Sequence, residues 1–170
     1  MQAEREAVYG IIFNPDRTEV LLVKRRDIPV WVLPGGGKEL LESAEQGTVR
    51  EVLEETGFHV TVNRKVATYL PVNLMTQKSH LFECHILAGS ASLTSETQAI
   101  QFFPLDKLPL LPPPYEGWIL DAKANYPEVL CKKIEGVTYW VLFKLFCKHP
   151  VLVGRYLLTK IGIHCNTHRK

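Results

Sequence analysis

Cysteine is sparse in this chain, and its four copies, at 84, 131, 147 and 165, form no C-x-x-C pair and no zinc-ligand spacing. That argues against a zinc motif and leaves reduced thiols in a cytosolic protein as the expectation. Charge of one sign is lacking too. Twenty Lys and Arg against 18 Asp and Glu leave a formal +2, too little to draw the chain onto a nucleic-acid polymer. Long apolar runs are absent: the two richest, residues 137–147 and 151–163, stop short of the roughly 18–20 uncharged residues of a spanning helix. The first six residues, Met-Gln-Ala-Glu-Arg-Glu, are charged and lack the apolar core of a secretory leader. A cytoplasmic protein is therefore expected. What remains is ordinary globular composition, 46% hydrophobic and 22% charged, over 170 residues. That length suits one domain with a small appendage.

The informative stretch is residues 36–58, GGKELLESAEQGTVREVLEETGF. Ser43 followed by Gln46 has the form of a capping box and predicts a helix opening near Ser43. Gly57 suits its end, where a left-handed conformation is favoured. Inside that helix Glu51, Glu54 and Glu55 fall at i, i+3 and i+4, on one face, with Val49, Val52 and Leu53 roughly opposite as the apolar stripe. Each like-charged pair at these spacings costs a few tenths of a kcal/mol. No lysine follows until Lys65 to offset the cluster. A cation is the simplest explanation, and carboxylate oxygens suit Mg²⁺ or Mn²⁺, which also coordinate phosphate. Leu33-Pro34-Gly35-Gly36-Gly37 just before it permits close backbone approach, so a pyrophosphate can reach a metal-loaded helix. The bland alternative is an acidic solvated helix after a glycine turn.

Gly36, Glu42, Arg50, Glu51, Glu54, Glu55 and Gly57 stand at the offsets G-x5-E-x7-R-E-x-x-E-E-x-G. At residue frequencies of roughly 6%, seven such positions coincide by chance about once in 10^8–10^9 windows. The pattern resembles the Nudix box, and residues 31–37, WVLPGGG, resemble its usual lead-in. The box itself covers about a seventh of the chain. The resemblance implies an α/β Nudix fold, a mixed β-sheet sandwiched between helices, over residues 1–125, with residues 126–170 a helical amphipathic extension. It implies divalent-metal-dependent attack of water on a diphosphate linkage of a nucleotide-derived small molecule. Dinucleoside polyphosphates, nucleotide sugars, ADP-ribose and nucleoside triphosphates all qualify. By the same resemblance, Glu51, Glu54, Glu55 and the Gly36 carbonyl hold the metal, Arg50 orients Glu51, and Glu42 braces the loop. The general base is Glu51, or Glu96 from the polar loop Thr94-Ser95-Glu96-Thr97. A non-catalytic nucleotide-sensing Nudix module is the competing reading.

Outside the box the residues speak less specifically. Residues 7–13 and 19–24 read as strands joined at Asn14-Pro15-Asp16-Arg17, hence as a hairpin. The second runs into Arg25 and Arg26, placed to reach substrate phosphates or simply solvated. Trp31 either stacks on a base or packs beneath the glycine loop. Residues 60–62, 65–70, 79–87 and 99–103 read as further strands, and 116–124 as a helix presenting Trp118, Ile119 and Ala122. Residues 137–163 carry an apolar surface with a basic strip of Lys144, Lys148, Arg155 and Lys160. That suits packing on the catalytic domain, a homodimer, or peripheral contact with an anionic membrane.

Overall fold

The Asn14 turn forms as its composition dictates: the Asn14 side-chain carbonyl accepts the backbone N–H groups of Thr18 and Glu19, at 2.8 and 2.9 Å. The strands it joins do not pair along their length, however. In this computed structural model, which describes residues 5–148, 150, 151 and 154, pairing across the turn is confined to the Phe13–Val20 bridge, flanked by Asn14 N–H to Glu19 O at 3.1 Å and Leu21 N–H to Ile12 O at 2.9 Å. β1 (Glu6–Ile11) and β2 (Glu19–Arg25) then diverge into separate sheets. Turn chemistry fixes where the chain reverses, and partners distant in sequence decide what each strand pairs with.

After β2 come β3 (Trp31–Val32), β4 (Gly35–Gly37), α1 (Ala44–Thr56), β5 (Phe58–Leu70), β6 (Lys78–Gly89) and β7 (Thr97–Pro104). α2 (Tyr115–Lys123), β8 (Leu130–Lys133) and α3 (Tyr139–Lys148) follow. Five strands form one mixed sheet in the order β4-β1-β6-β5-β8, parallel at β1/β6 and β5/β8 and antiparallel elsewhere. The other three form an antiparallel sheet, β3-β2-β7, so residues 99–103 belong to this second sheet. Residues 60–62 and 65–70 are parts of one bulged strand, β5.

Strand neighbours point to opposite faces, and here both faces are covered. Ile11, Leu22 and Leu81 join one core with Tyr69 and with Trp118, Ile119 and Ala122 of α2. The residues beside them, Ile12, Leu21 and Phe82, join the other with Val52 of α1, Val60 and Cys84. Helices on both sides of the sheets explain why these strands read as continuous apolar runs. Each fully buried Leu, Ile or Phe contributes about 1.5–3 kcal/mol. This is the expected α/β/α arrangement. Trp118 is fixed by stacking on Tyr69 at 4.5 Å between centroids, and the Tyr69 hydroxyl donates to Asp121 at 2.9 Å.

Among the described residues, Glu83 is the one carboxylate in the set of largest fully buried side chains, only 2% exposed on β6. It pairs with Arg17 and with Arg64, the latter at 2.9 Å. Both guanidiniums also donate to the Ala122 carbonyl in the last turn of α2, at 3.0 and 3.2 Å, beside the Asn125 N–H that it accepts at 3.2 Å. Removing the charge from a buried, paired site is costly. Glu83→Gln is expected to lose about 3 kcal/mol in chemical denaturation. An unchanged midpoint would contradict this tie between α2 and the sheet.

The segment after α2 holds a strand absent from the sequence reading. β8 pairs in parallel with β5, Ala67 opposite Leu130, and ties the start of the extension into the sheet. Its four residues, Leu-Cys-Lys-Lys, are too few to show alternation. α3 lies in the expected helical region, with Tyr139 and Trp140 60% and 63% exposed. Arg155 and Lys160 of the expected basic strip lie outside the described residues. Among the described residues no helix is long and apolar enough to cross a membrane. Among the described residues, Cys84, Cys131 and Cys147 are free.

Candidate active site

The helix that carries the acids is capped at both ends. Ser43 Oγ accepts the Gln46 N–H at 3.1 Å, and Gln46 Oε1 accepts the Ser43 N–H at 2.8 Å, which completes the capping box. At the other end Gly57 sits at φ 76°, and its N–H donates to Leu53 O at 2.8 Å. Val52 is fully buried with Val49 packed against its core, and Val49 and Leu53 are half-buried. On the acidic face exposure is graded. The Glu54 side chain is 58% exposed and that of Glu51 13%, while Glu55 as a residue retains 8%.

Arg50 is the hub of the polar face. Its Nε and Nη2 donate to Glu42 at 3.0 and 2.7 Å, and its Nη1 to Glu51 at 2.9 Å and Glu54 at 3.1 Å. Nη2 also reaches the Gly37 carbonyl at 3.0 Å. The guanidinium beside Glu42 holds that carboxyl down at about 2. Glu42 in turn accepts the Glu39 N–H at 2.8 Å, which ties the loop before α1 to the helix. Lys38, not singled out by the sequence, helps by donating to the Glu39 and Glu42 carbonyls at 3.2 and 3.3 Å.

β4 presses on the acids from the other side. A Cβ at Gly36 would fall 2.6 Å from Glu51 Oε2, so only glycine lets the strand approach this closely. The Gly35 N–H donates to Glu55 Oε2 at 2.9 Å. Burial raises the carboxyls of both Glu51 and Glu55, opposed at Glu51 by Arg50 and at Glu55 by the Gly35 N–H. Glu55 is pushed up to about 7.

That shift has a sign that can be tested. The folded, metal-free chain holds a proton on Glu55 between its ordinary 4.5 and about 7, while the unfolded chain releases it. The ionised form therefore costs the fold stability as pH rises through this window. Above it the cost is about 3 kcal/mol at 1.36 kcal/mol per pH unit. Glu55→Gln is expected to raise the denaturation midpoint of the metal-free protein at pH 8 and to do much less at pH 5. Equal effects at the two pH values would contradict a buried, raised carboxyl.

Glu51, Glu54 and Glu55 line a pocket of about 300 Å³ together with Thr94, Ser95 and Glu96. Glu96 is thus brought to the acids across 41 residues from Glu55. Thr94 and Ser95 were not foreseen individually. Their signal is the Thr-Ser-Glu-Thr string, in which Thr94 Oγ1 accepts the Glu96 and Thr97 N–H groups at 3.3 and 3.2 Å. Arg25, Arg26 and Trp31 do not line this pocket. Arg25 is clamped by Asp27, at 2.9 and 2.5 Å, which raises its already high pKa. Arg26 Nη2 donates to the Thr94 and Thr97 carbonyls at 3.2 and 3.0 Å. Trp31 meets Phe103 edge-on at 4.7 Å and packs against the α2-side core.

The donor set fits a hard divalent cation: all-oxygen, anionic, and including two carboxyls that burial disfavours as anions. Among the described residues no three acidic, His or Cys side chains already converge as a ready-made metal cluster. Arg50 draws Glu51 and Glu54 toward itself while Gly35 draws Glu55.

Comparison with known proteins agrees with the fold. A Bacillus subtilis (strain 168) protein named "Putative 8-oxo-dGTP diphosphatase" is 37% identical over 106 residues, which is 62% of this chain and 70% of that one. The ADP-ribose pyrophosphatase of Methanocaldococcus jannaschii is 31% identical over 122 residues, 68% of this chain and 70% of its own length. Among solved structures, an ADP-ribose pyrophosphatase from Streptococcus suis 89-1591 matches with a TM-score of 0.63 and 29% identity. That match covers 77% of this chain and 99% of that chain. The protein is a hydrolase. With the NUDIX domain model matching residues 3–124, it belongs to the NUDIX domain family, whose hydrolases generally need divalent metal ions.

Proposed function

We propose that this chain is a cytoplasmic pyrophosphohydrolase that splits a diphosphate linkage in a nucleoside diphosphate derivative by attack of water at phosphorus. The observation that carries this reading is the meeting of Glu51, Glu54, Glu55 and Glu96 around one pocket large enough for a diphosphate. Glu51, Glu54, Glu55 and the Gly36 carbonyl would hold Mg²⁺ or Mn²⁺. When bound, the metal supplies polarisation of the phosphoryl oxygens and a lowered pKa for the attacking water. Arg50 holds Glu51 and Glu54 in place, and Glu42 fixes Arg50.

Glu96 is our choice of general base over Glu51. Glu51 Oε1 is taken by Arg50 and its other oxygen lies against Gly36, whereas Glu96 lines the same pocket from a separate loop. A base there takes the water proton as the new P–O bond forms and the bridging P–O bond breaks. Arg25, whose positive charge pulls the Glu55 carboxyl down, is the better candidate of the remaining two for substrate contact. The Trp31–Phe103 contact supports packing for Trp31.

The names of the relatives nominate ADP-ribose and 8-oxo-dGTP as the first substrates to try, followed by nucleotide sugars and dinucleoside polyphosphates. Product release is to be measured with Mg²⁺, with Mn²⁺ and with chelator. Metal-dependent cleavage of one class is expected. Binding without turnover across the panel would instead identify a nucleotide-sensing module. We further propose that residues 1–125 carry the chemistry and 126–170 form an appendage, secured by β8, that contacts a second copy. Because β8 and the buried Ile134 belong to the fold, truncation should follow Gly136. Sedimentation should then show a lost dimer. Lost vesicle binding with an unchanged oligomeric state would indicate a membrane contact instead.

A further inference from the structure

Arg26 reads in the sequence as a phosphate contact or a solvated strand end, and two of the bonds it makes in the fold are of neither kind. One nitrogen, Nη2, donates to the carbonyls of Thr94 and Thr97, which stand on either side of Ser95 and Glu96. The Arg26 backbone N–H also donates to the Glu96 carbonyl, at 2.8 Å. These bonds lie where the β2–β7 ladder ends. Its register shifts there, from Lys24 opposite Ala99 to Arg25 opposite Thr97, and leaves Gln98 as an extra residue. Thr97 is buried at 1%, so its carbonyl needs a partner within the protein. Thr94 Oγ1 then closes the loop from inside by accepting the Glu96 and Thr97 N–H groups.

We propose that Arg26 is a positioning residue: by stapling both ends of the Thr94–Thr97 loop it fixes Glu96 against the Glu51–Glu54–Glu55 face. This rests on the reading of Glu96 as general base. A planar guanidinium on a long stem can span two carbonyls at a fixed separation. A shorter Gln cannot reach them, and a Lys ammonium, one bond shorter than Arg26 Nη2, stops short of the point from which one nitrogen meets both carbonyls. If Arg26 served substrate phosphate instead, its loss would weaken binding, and Lys would largely substitute.

The test measures kcat and KM for ADP-ribose and for 8-oxo-dGTP, with Mg²⁺, in wild type, Arg26→Gln, Arg26→Lys, Glu96→Gln and the Arg26→Gln/Glu96→Gln pair. Both Arg26 variants are expected to lose about 10- to 100-fold in kcat with little change in KM, as for a misplaced catalytic group. In the Glu96→Gln background the Arg26→Gln loss should vanish. Undiminished turnover by Glu96→Gln overturns the general-base reading, and the staple's catalytic role with it. An impaired Glu96→Gln whose defect simply multiplies with that of Arg26→Gln overturns the staple alone, as does a KM effect rescued by Lys. Hydrogen exchange at the Glu96 and Thr97 amides gives a readout free of turnover. It should quicken in Arg26→Gln, and unchanged protection in a folded variant overturns the proposal.

Discussion

Glu54→Gln and Glu55→Gln are each expected to lower metal-dependent turnover by ~10^3-fold or more while the fold survives. The two residues occupy opposite extremes of exposure, with the Glu54 side chain 58% exposed and Glu55 buried to 8%. If their shared task is to hold a cation, the loss should be similar despite that difference, since each amide removes a charge from the same donor set. If either acid were only a solvated or packed side chain, the isosteric amide would be silent in turnover. Circular dichroism and a denaturation midpoint separate loss of chemistry from loss of fold. For Glu55→Gln in the absence of metal at high pH, that midpoint should even rise. Near-wild-type rates for both variants at saturating Mg²⁺ would remove the metal assignment.

The second large effect is expected at Arg50. Arg50→Ala should lose about 100-fold in turnover, and Arg50→Lys should recover little of it. The reason is geometric. Arg50 uses three nitrogens on Glu42, Glu51, Glu54 and the Gly37 carbonyl at once, a set that a single ammonium cannot span. Without it, three carboxylates and a loop lose their common anchor, and Glu51 loses the group that opposes its raised pKa. Assays across rising Mg²⁺ are the check. A defect erased by excess metal would mean that Arg50 serves only metal affinity, while full activity in Arg50→Lys would contradict the fork.

Much of this site was legible because it is local. The capping box, the Gly57 terminus and the i, i+3, i+4 acids depend on residues within one helix, and the helix runs from Ala44 to Thr56 as the spacing implies. What sequence spacing could not show was how unequal the three acids are. Glu55 is buried because β4 folds over it, and β4 is placed by pairing with β1, Tyr9 opposite Gly35. Long-range partners were likewise hidden. Lys24, Arg25 and Arg26 carry the same charge in the sequence, but the carbonyls that engage Arg26 lie 68 and 71 residues away. A basic residue advertises anions, and nothing in its type reveals a neutral acceptor. The hairpin reading of residues 7–24 holds only beside the turn, at Phe13 and Val20, for the same reason, since β1 finds its partners at Gly37 and Ser79.

The most direct single measurement is Mn²⁺ binding, followed by electron paramagnetic resonance of the free ion, in wild type and in the Glu54→Gln/Glu55→Gln pair. The carboxylate face of α1 should bind Mn²⁺ in the wild type, more weakly as pH falls below about 7 where Glu55 takes up its proton. The double variant should lose that binding. Equal Mn²⁺ binding by the two folded proteins, at every pH, would contradict the assignment of this face as the metal site.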